Sequence, residues 1–529
     1  FTEESYENSI IQLFENMGWT HIYGPDVERD FSCPVFLNEL FPALQKINPN
    51  LPAEALNETI HKLLNFENAE LSQKNEVFTD YIQNGVEVTF YNADHTPRSG
   101  LVKLVDYEHP QNNSFVIANQ WTFIENSNKR PDIILFLNGL PVVLMELKSP
   151  SRSETDSSDA YKQIQTYKRE IPSLFIYNCI CVLSDLALSV AGTITSGEDR
   201  FMQWKTKDGK GEDNSAVNFE TFFEGIFQKE RLLDIIKNFI CFSVDGTSRV
   251  KILSGYHQYF AVRKAIESTK HATVTDRKGG VFWHTQGSGK SLSMVFYAHL
   301  LQQALESPTI VVITDRNDLD GQLYSQFSKC KNFLRQTSVQ AQSRKDLHDL
   351  LAGREANGIF FTTMQKFAPS TGSGTDGFEA LSERRNIIVM ADEAHRSQYG
   401  LSEKVDEKTG RIKTGAARII RNSLPNATFI GFTGTPISLK DRSTKEVFGD
   451  YIDIYDMTQA VEDGATRPVY YESRVIKLHL DESTLRLIDT EYDIMAQNAD
   501  AEVIEQSKRD LGKMEAVLGN EKTIASLVD

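Results

Sequence analysis

At 529 residues, with 56 basic and 73 acidic side chains and a formal net charge of −17, the chain is too long for one core and too acidic for a uniformly basic nucleic-acid coat. About 150 residues per domain predicts three or four domains, and local basic grooves stay open to it. No run of about 18 apolar residues occurs, so no spanning helix and no membrane attachment is expected. No signal peptide is evident either. The five cysteines (Cys33, Cys179, Cys181, Cys241 and Cys330) lack metal-ligand spacing, which predicts reduced, buried thiols in a cytoplasmic setting. The chain begins at Phe1 rather than Met, so further N-terminal residues are expected.

In chain order, "YENSIIQLFENMGW" places Ile10, Leu13, Phe14 and Met17 at helical spacing, closed by Gly18. Residues 30–80 read as helical, punctuated by prolines. The strands "VEVTFY", "NSFVIANQWTF", "DIILFL" and "PVVLMEL" follow, then a helix, "SSDAYKQIQTYKREI", and a strand, "LFIYNCICVLS". Residues 195–217 are polar and Gly-rich, and "FFEGIFQKERLLDIIKNFICF" is expected to be one helix closing the first domain. From about 250 the pattern changes. "GGVFWHT", "PTIVVIT", "GIFFTT", "NIIVMAD" and "ATFIGFTGT" are short apolar runs, several of them separated by helices, the pattern of a parallel sheet covered on both faces. "PSTGSGTDGFE" and "LSEKVDEKTGRIKTG" are expected to be mobile. The fold class is α/β: an α/β domain over 1–245, a doubly wound parallel sheet over 246–470, and a linker or the start of another lobe over 471–529.

"PDIILFLNGLPVVLMELKSP" carries a carboxylate at the far end of each of two apolar runs. With a tight Asn138-Gly139 turn, Asp132 would face Met145 and Glu146 would point away. A three-residue loop over 138–140, or a single bulge, would set Asp132 opposite Glu146; the longer loop is the expectation. Glu146 and Lys148, two apart, share a strand face. Two carboxylates can bind Mg²⁺, and a nearby Lys can position or activate water. Glu7, on the first helix, is a further metal-ligand candidate. The competing reading of all these groups is ordinary strand-end or helix-surface polarity.

"GGVFWHTQGSGKSLSMVFYAHLL" is a strand, a glycine loop and a helix. Thr285, Gln286, Gly287, Ser288, Gly289, Lys290 and Ser291 form the loop, whose N–H groups and helix N-terminus suit phosphate. Lys290 would reach the β- and γ-phosphates and Ser291 would bind Mg²⁺. The usual motif has Gly where this chain has His284. Downstream, the buried run "NIIVMADEAHRS" ends in Asp392, Glu393 and His395. Asp392 would hold Mg²⁺ through water, and Glu393 would orient and deprotonate the attacking water of an ATP hydrolysis.

These motifs together resemble superfamily 2 helicases and translocases. By that resemblance Gln258 reads adenine, "TDRNDLDGQ" touches the DNA backbone, and "GFTGTP", with Thr433 and Thr435 at the nucleotide, couples hydrolysis to DNA. The hairpin resembles the PD-(D/E)xK nuclease fold. Gln163 and Tyr167 match the Q-x-x-x-Y helix of its RecB-like branch, where they would support the metal site or touch DNA. The order of the two parts resembles the R (HsdR) subunit of type I restriction enzymes. That resemblance implies ATP and Mg²⁺ as cofactors and double-stranded DNA as substrate. It implies methylation (M) and specificity (S) subunits as partners, with cleavage remote from the recognition site. A second motor lobe with its arginine finger is not found, so the chain is expected to be an N-terminal fragment. Such a fragment should hydrolyse ATP poorly, because that arginine is worth about 10³–10⁵ in rate. The alternatives are a stand-alone repair nuclease–translocase and a DNA-binding or assembly module with no chemistry of its own.

Overall fold

Apolar residues on both faces of short strands build two sheets. The computed structural model describes residues 3–467, apart from 68, 92–93, 149–156, 186, 216–218, 315–320, 368–379, 395–403, 406–411, 414–415 and 436–441. The first sheet holds β1 (Thr20–Tyr23), β2 (Phe115–Asn119), β3 (Ile133–Leu137), β4 (Leu140–Leu147), β5 (Ile180–Ser184) and β6 (Ser189–Gly192), side by side in chain order. The β1/β2 and β4/β5 pairs are parallel and the other pairs antiparallel. Helices α1 (Glu3–Asn16) and α2 (Leu71–Asn84) pack with Ile133, Leu135 and Leu137. Helix α3 (Ser157–Glu170) packs with the alternate residues Ile134 and Phe136 on the opposite face.

The β3–β4 hairpin turns in two residues, Asn138 and Gly139, both with positive φ (51° and 79°), as a type I′ turn requires. The expected three-residue loop is therefore absent. The ladder pairs Leu137 with Leu140 and Phe136 with Pro141, then shifts so that Leu135 faces Val143 and Ile133 faces Met145. The extra residue, Val142, is a bulge, and beyond it the register carries Asp132 to Glu146. Pro141, which has no N–H to give the ladder, sits beside the bulge, where strands tolerate proline.

Two further expectations change. The stretch 222–242 is not one helix but the end of α4 (Phe219–Phe227), then α5 (Lys229–Asn238) and β7 (Ile240–Asp245). Gln228, at φ −50° and ψ 128°, is extended and breaks the helix there. "LFIYNCICVLS" begins as a helical turn, Pro172–Phe175, and becomes strand only at Ile180. Proline at the first helical position favours that turn.

β7 pairs with β8 (Ser248–Leu253), and β8 leads into α6 (Tyr256–Val274). The second sheet comprises β9 (Lys278–His284), β10 (Thr309–Thr314), β11 (Val339–Gln340), β12 (Ile359–Thr363), β13 (Ile387–Ala391), β14 (Thr428–Thr433) and β15 (Tyr451–Tyr455). Its spatial order is β11-β12-β10-β13-β14-β9-β15, and every pair is parallel. The α6 helix and α7 (Lys290–Ala304) cover one face. One apolar cluster runs from Tyr6 and Ile133 through α4, α5 and α6 to Ile310 and Phe432, so both sheets share a core. Within the joint, the Lys251 ammonium is 2% exposed. It donates to Asn75 Oδ1 (2.9 Å), Thr79 Oγ1 (3.1 Å) and the Asn178 carbonyl (2.7 Å), and burial pulls its pKa down.

At Gly139 a Cβ would lie 2.5 Å from the Phe36 carbonyl oxygen and 2.7 Å from the Leu40 nitrogen, both backbone atoms. Gly139→Ala is expected to cost about 2–3 kcal/mol, from left-handed strain and this overlap. It should appear as a lower denaturant midpoint.

Candidate nuclease and nucleotide sites

At the open end of the β3–β4 hairpin the bulge brings two carboxylates together. Asp132 Oδ2 accepts the Leu147 N–H at 2.8 Å, which ties the residue before β3 to the end of β4. Glu146 is 3% exposed, and its Oε1 accepts Lys148 Nζ at 2.6 Å. Tyr167 and Gln163 meet on one face of α3, and the Tyr167 hydroxyl interacts with both Gln163 and Glu146. Burial, then the Glu146 charge, pushes the Tyr167 pKa well up, so the phenol stays protonated. Asp132, Glu146, Lys148, Gln163 and Tyr167 thus converge.

Glu7 lies at the edge of this group. Its Oε1 accepts Asn119 Nδ2 (2.6 Å) and its Oε2 accepts Gln120 Nε2 (2.8 Å). The Gln120 backbone N–H in turn donates to the Asp132 carbonyl at 2.9 Å. Among the described residues no three His, Cys, Asp or Glu side chains gather as a metal cluster. The donor set is therefore a carboxylate pair with a lysine. Mg²⁺ keeps several waters and takes one or two protein carboxylates, so Asp132 and Glu146 fit it.

The second site lies where β9, β14 and β13 end side by side, at the carboxyl edge where doubly wound sheets hold ligands. After β9 the loop Thr285–Ser291 curls through two left-handed glycines, Gly287 (φ 85°) and Gly289 (φ 84°), into the N-terminus of α7. Ser288 Oγ donates to the Thr285 carbonyl at 2.6 Å. A Cβ on Gly434 would meet Gln286 Cγ at 2.9 Å, so the turn after β14 packs directly on the loop. Thr433 Oγ1 accepts the Thr435 N–H at 3.2 Å. The Ala394 N–H donates to the Phe432 carbonyl, which links the turn after β13 to β14. His395, residues 315–320 of "TDRNDLDGQ" and Pro436 lie outside the described residues.

Lys290 stands between Asp392 Oδ1 (3.0 Å) and Glu393 Oε1 (2.9 Å). Burial lowers its pKa, but the two carboxylates outweigh this and the net shift is upward. Glu393 is held at φ 50°, a costly conformation for a non-glycine residue and one that clusters at functional sites. The side-chain amide of Gln258 is already bonded within the protein. Its Oε1 accepts the Gly255 N–H (2.9 Å) and its Nε2 donates to the Gly289 carbonyl (3.0 Å). A cavity of about 380 Å³ opens beside it, lined by Gly287–Gly289 on one side and by Thr195, Trp204 and Lys251 on the other.

His284, which replaces the usual glycine, is fully buried at the end of β9 with Nε2 3.0 Å from Asp453 Oδ2. Burial still lowers its pKa. Sequence reasoning missed this pairing, and it missed Lys205, whose Nζ lies 2.6 Å from Asp463 Oδ1 with both side chains buried. Tyr256 and Tyr455 donate to Asp463 Oδ2. No local spacing marks the His284–Asp453 and Lys205–Asp463 pairs, because their partners are about 170 to 260 residues apart in the chain.

Residues 1–200 match the family model of the type I restriction enzyme R protein N terminus, and residues 257–505 match that of the SWI2/SNF2 ATPase. The HindI endonuclease subunit of Haemophilus influenzae, from a type I restriction enzyme, is 41% identical over 99% of this chain and 50% of its own length. The MjaIXP endonuclease subunit of Methanocaldococcus jannaschii is 32% identical over 98% of this chain and 50% of its own. The chain spans about half the length of these curated relatives.

Lys290→Ala would remove the ammonium that stands between Asp392 and Glu393. A loss of about 2–3 kcal/mol at pH 7 is expected, read by chemical unfolding without nucleotide. The sign follows from the raised pKa: the lysine contribution is complete below the ordinary lysine range and is lost only as pH rises through the folded-state value.

In one polypeptide, then, a stretch that matches the type I restriction enzyme R protein N terminus precedes one that matches the SWI2/SNF2 ATPase, and the relatives it resembles along nearly its whole length are endonuclease subunits of type I restriction enzymes.

Proposed function

We propose that this chain supplies the nuclease and the first motor lobe of a type I restriction endonuclease. It would act in the cytoplasm on double-stranded DNA beside methylation and specificity subunits. The endonuclease would occupy residues 1–245 and the ATP-binding lobe 246–470. The observation that carries this reading is the register that sets Asp132 opposite Glu146, with Lys148 bonded to Glu146, in the same chain as Lys290 between Asp392 and Glu393.

Mg²⁺ held by Asp132 and Glu146 would supply Lewis-acid chemistry at the scissile phosphate. Lys148, on the same strand face as Glu146, positions the attacking water. Tyr167 keeps the Glu146 carboxylate in place through its protonated hydroxyl. Glu7 braces the Asn119–Gln120 segment behind Asp132 and is a further ligand candidate. In the motor, the glycine loop and Lys290 would hold the phosphates of ATP, Asp392 and Ser291 would hold Mg²⁺, and Glu393 would orient and deprotonate the attacking water. Gln258 and the cavity beside it take the adenosine end, with His395, Thr433 and Thr435 around the phosphates. Sequence reading by the methylation and specificity subunits would fit the lack of an overall basic character in this chain.

Calorimetric titration with Mn²⁺ tests the nuclease half, in a Lys290→Ala, Asp392→Ala background that removes the motor's metal. Binding should persist there and fall at least about tenfold with either Asp132→Ala or Glu146→Ala. Unchanged binding in both variants would return the carboxylates to strand-end polarity. In the complex assembled with its partner subunits, Asp132→Ala should abolish plasmid cleavage and leave DNA-stimulated ATP hydrolysis intact. Loss of both activities together would contradict two separate sites.

A further inference from the structure

The first turn of α6 grips the phosphate loop twice. Beside the Gln258 bond to Gly289, His257 Nε2 lies 3.0 Å from the Ser288 carbonyl oxygen. A carbonyl only accepts, so Nε2 carries the proton. The ring is 5% exposed and lies on the Tyr455 ring at 4.1 Å, with 9° between the planes. Its other edge fills the space that a side chain at residue 255 would occupy. A Cβ on Gly255 would sit 2.7 Å from His257 Cε1 and 2.9 Å from Nδ1. Stack, glycine and carbonyl together leave the imidazole one orientation. Burial and the neighbouring His284 draw its pKa down to about 4, so the ring is neutral at pH 7 and donates through Nε2.

Nothing about packing on Tyr455 demands a donor; a phenyl ring would serve. The donor matches the loop instead. Ser288 sits between two left-handed glycines, the most freely rotating residues in the loop. Phosphate binding needs the loop N–H groups to converge before the ligand arrives, because ordering them afterwards costs affinity. Fixing the Ser288 carbonyl removes that freedom at the point where it is largest.

We propose that His257 is a positioning residue of the nucleotide site, holding the Ser288 carbonyl through Nε2–H and thereby the curl of the phosphate loop. The proposal rests on the reading of Thr285–Ser291 as an ATP-phosphate loop.

The test is fluorescence titration of the whole chain with a labelled ADP and Mg²⁺, alongside thermal unfolding. His257→Phe keeps the stacked ring and removes the donor. It should weaken ADP about tenfold, the effect of one lost hydrogen bond, and shift the unfolding midpoint without nucleotide by no more than about 3 °C. His257→Gln restores a donor without the ring and should recover affinity to within about threefold. ADP binding by His257→Phe as tight as in the unaltered chain would overturn the proposal. So would a His257→Gln variant as weak as His257→Phe, since the ring rather than its proton would then matter. Lys290→Ala separates the two levels. If it abolishes binding and His257→Phe leaves ADP affinity unchanged, only the positioning role falls. If the unaltered chain binds no ADP, the nucleotide reading falls and this proposal with it.

Discussion

One extra residue in a hairpin sets which way the candidate nuclease residues face. Side chains alternate along a strand, so the shift at Val142 decides whether Glu146 and Lys148 meet Asp132 or point to the opposite face. The far end of the hairpin is pinned against slippage. Asn138, fully buried, donates to the Leu104 carbonyl and Asn113 Oδ1 and accepts the Ser114 N–H. The Gly139 carbonyl accepts the Phe36 N–H at 2.8 Å. With the turn and the bulge both fixed, the carboxylates are presented by strands buried on both faces, where paired charges interact more strongly than in water.

The nucleotide site follows the same logic with different parts. Three neighbouring parallel strands end together; the turn after β13 bonds to β14, and the turn after β14 packs on the loop after β9. Lys290 stands between two carboxylates that would otherwise repel and offsets part of their charge. The loop is steadied from α6, which follows β8. The Lys251 backbone in β8 bonds to Thr193 and Thr195 beyond β6. Nuclease sheet, hairpin, helix and phosphate loop are therefore one continuous set of bonded groups around a shared core.

Much of this was legible in the chain. The glycine loop, the Asp392–Glu393 strand end and the Glu146/Lys148 spacing are local patterns, and local patterns survive folding. The relation between Asp132 and Glu146 was legible as a requirement but not as a mechanism. A bulge leaves no composition signal comparable to a Gly-rich loop, and Pro141 was the only hint beside it. Breaks at Gln228 and Phe239 were hidden because the apolar spacing of two short helices and a strand reads as one longer helix. Tertiary partners such as Asp453 for His284 or Asp463 for Lys205 are distant in sequence, so no window could contain them. Gln258 was found by its position, but its present bonds to Gly255 and Gly289 could not be.

The central claim is that the bulged hairpin ends in a metal site. Its most direct test is a crystal of the chain grown with Mn²⁺ and measured at the manganese absorption edge. The account predicts an anomalous peak within about 2.0–2.6 Å of oxygens from both Asp132 and Glu146. A peak confined to the Asp392 side of the molecule, or none at the hairpin in a well-occupied crystal, would contradict it.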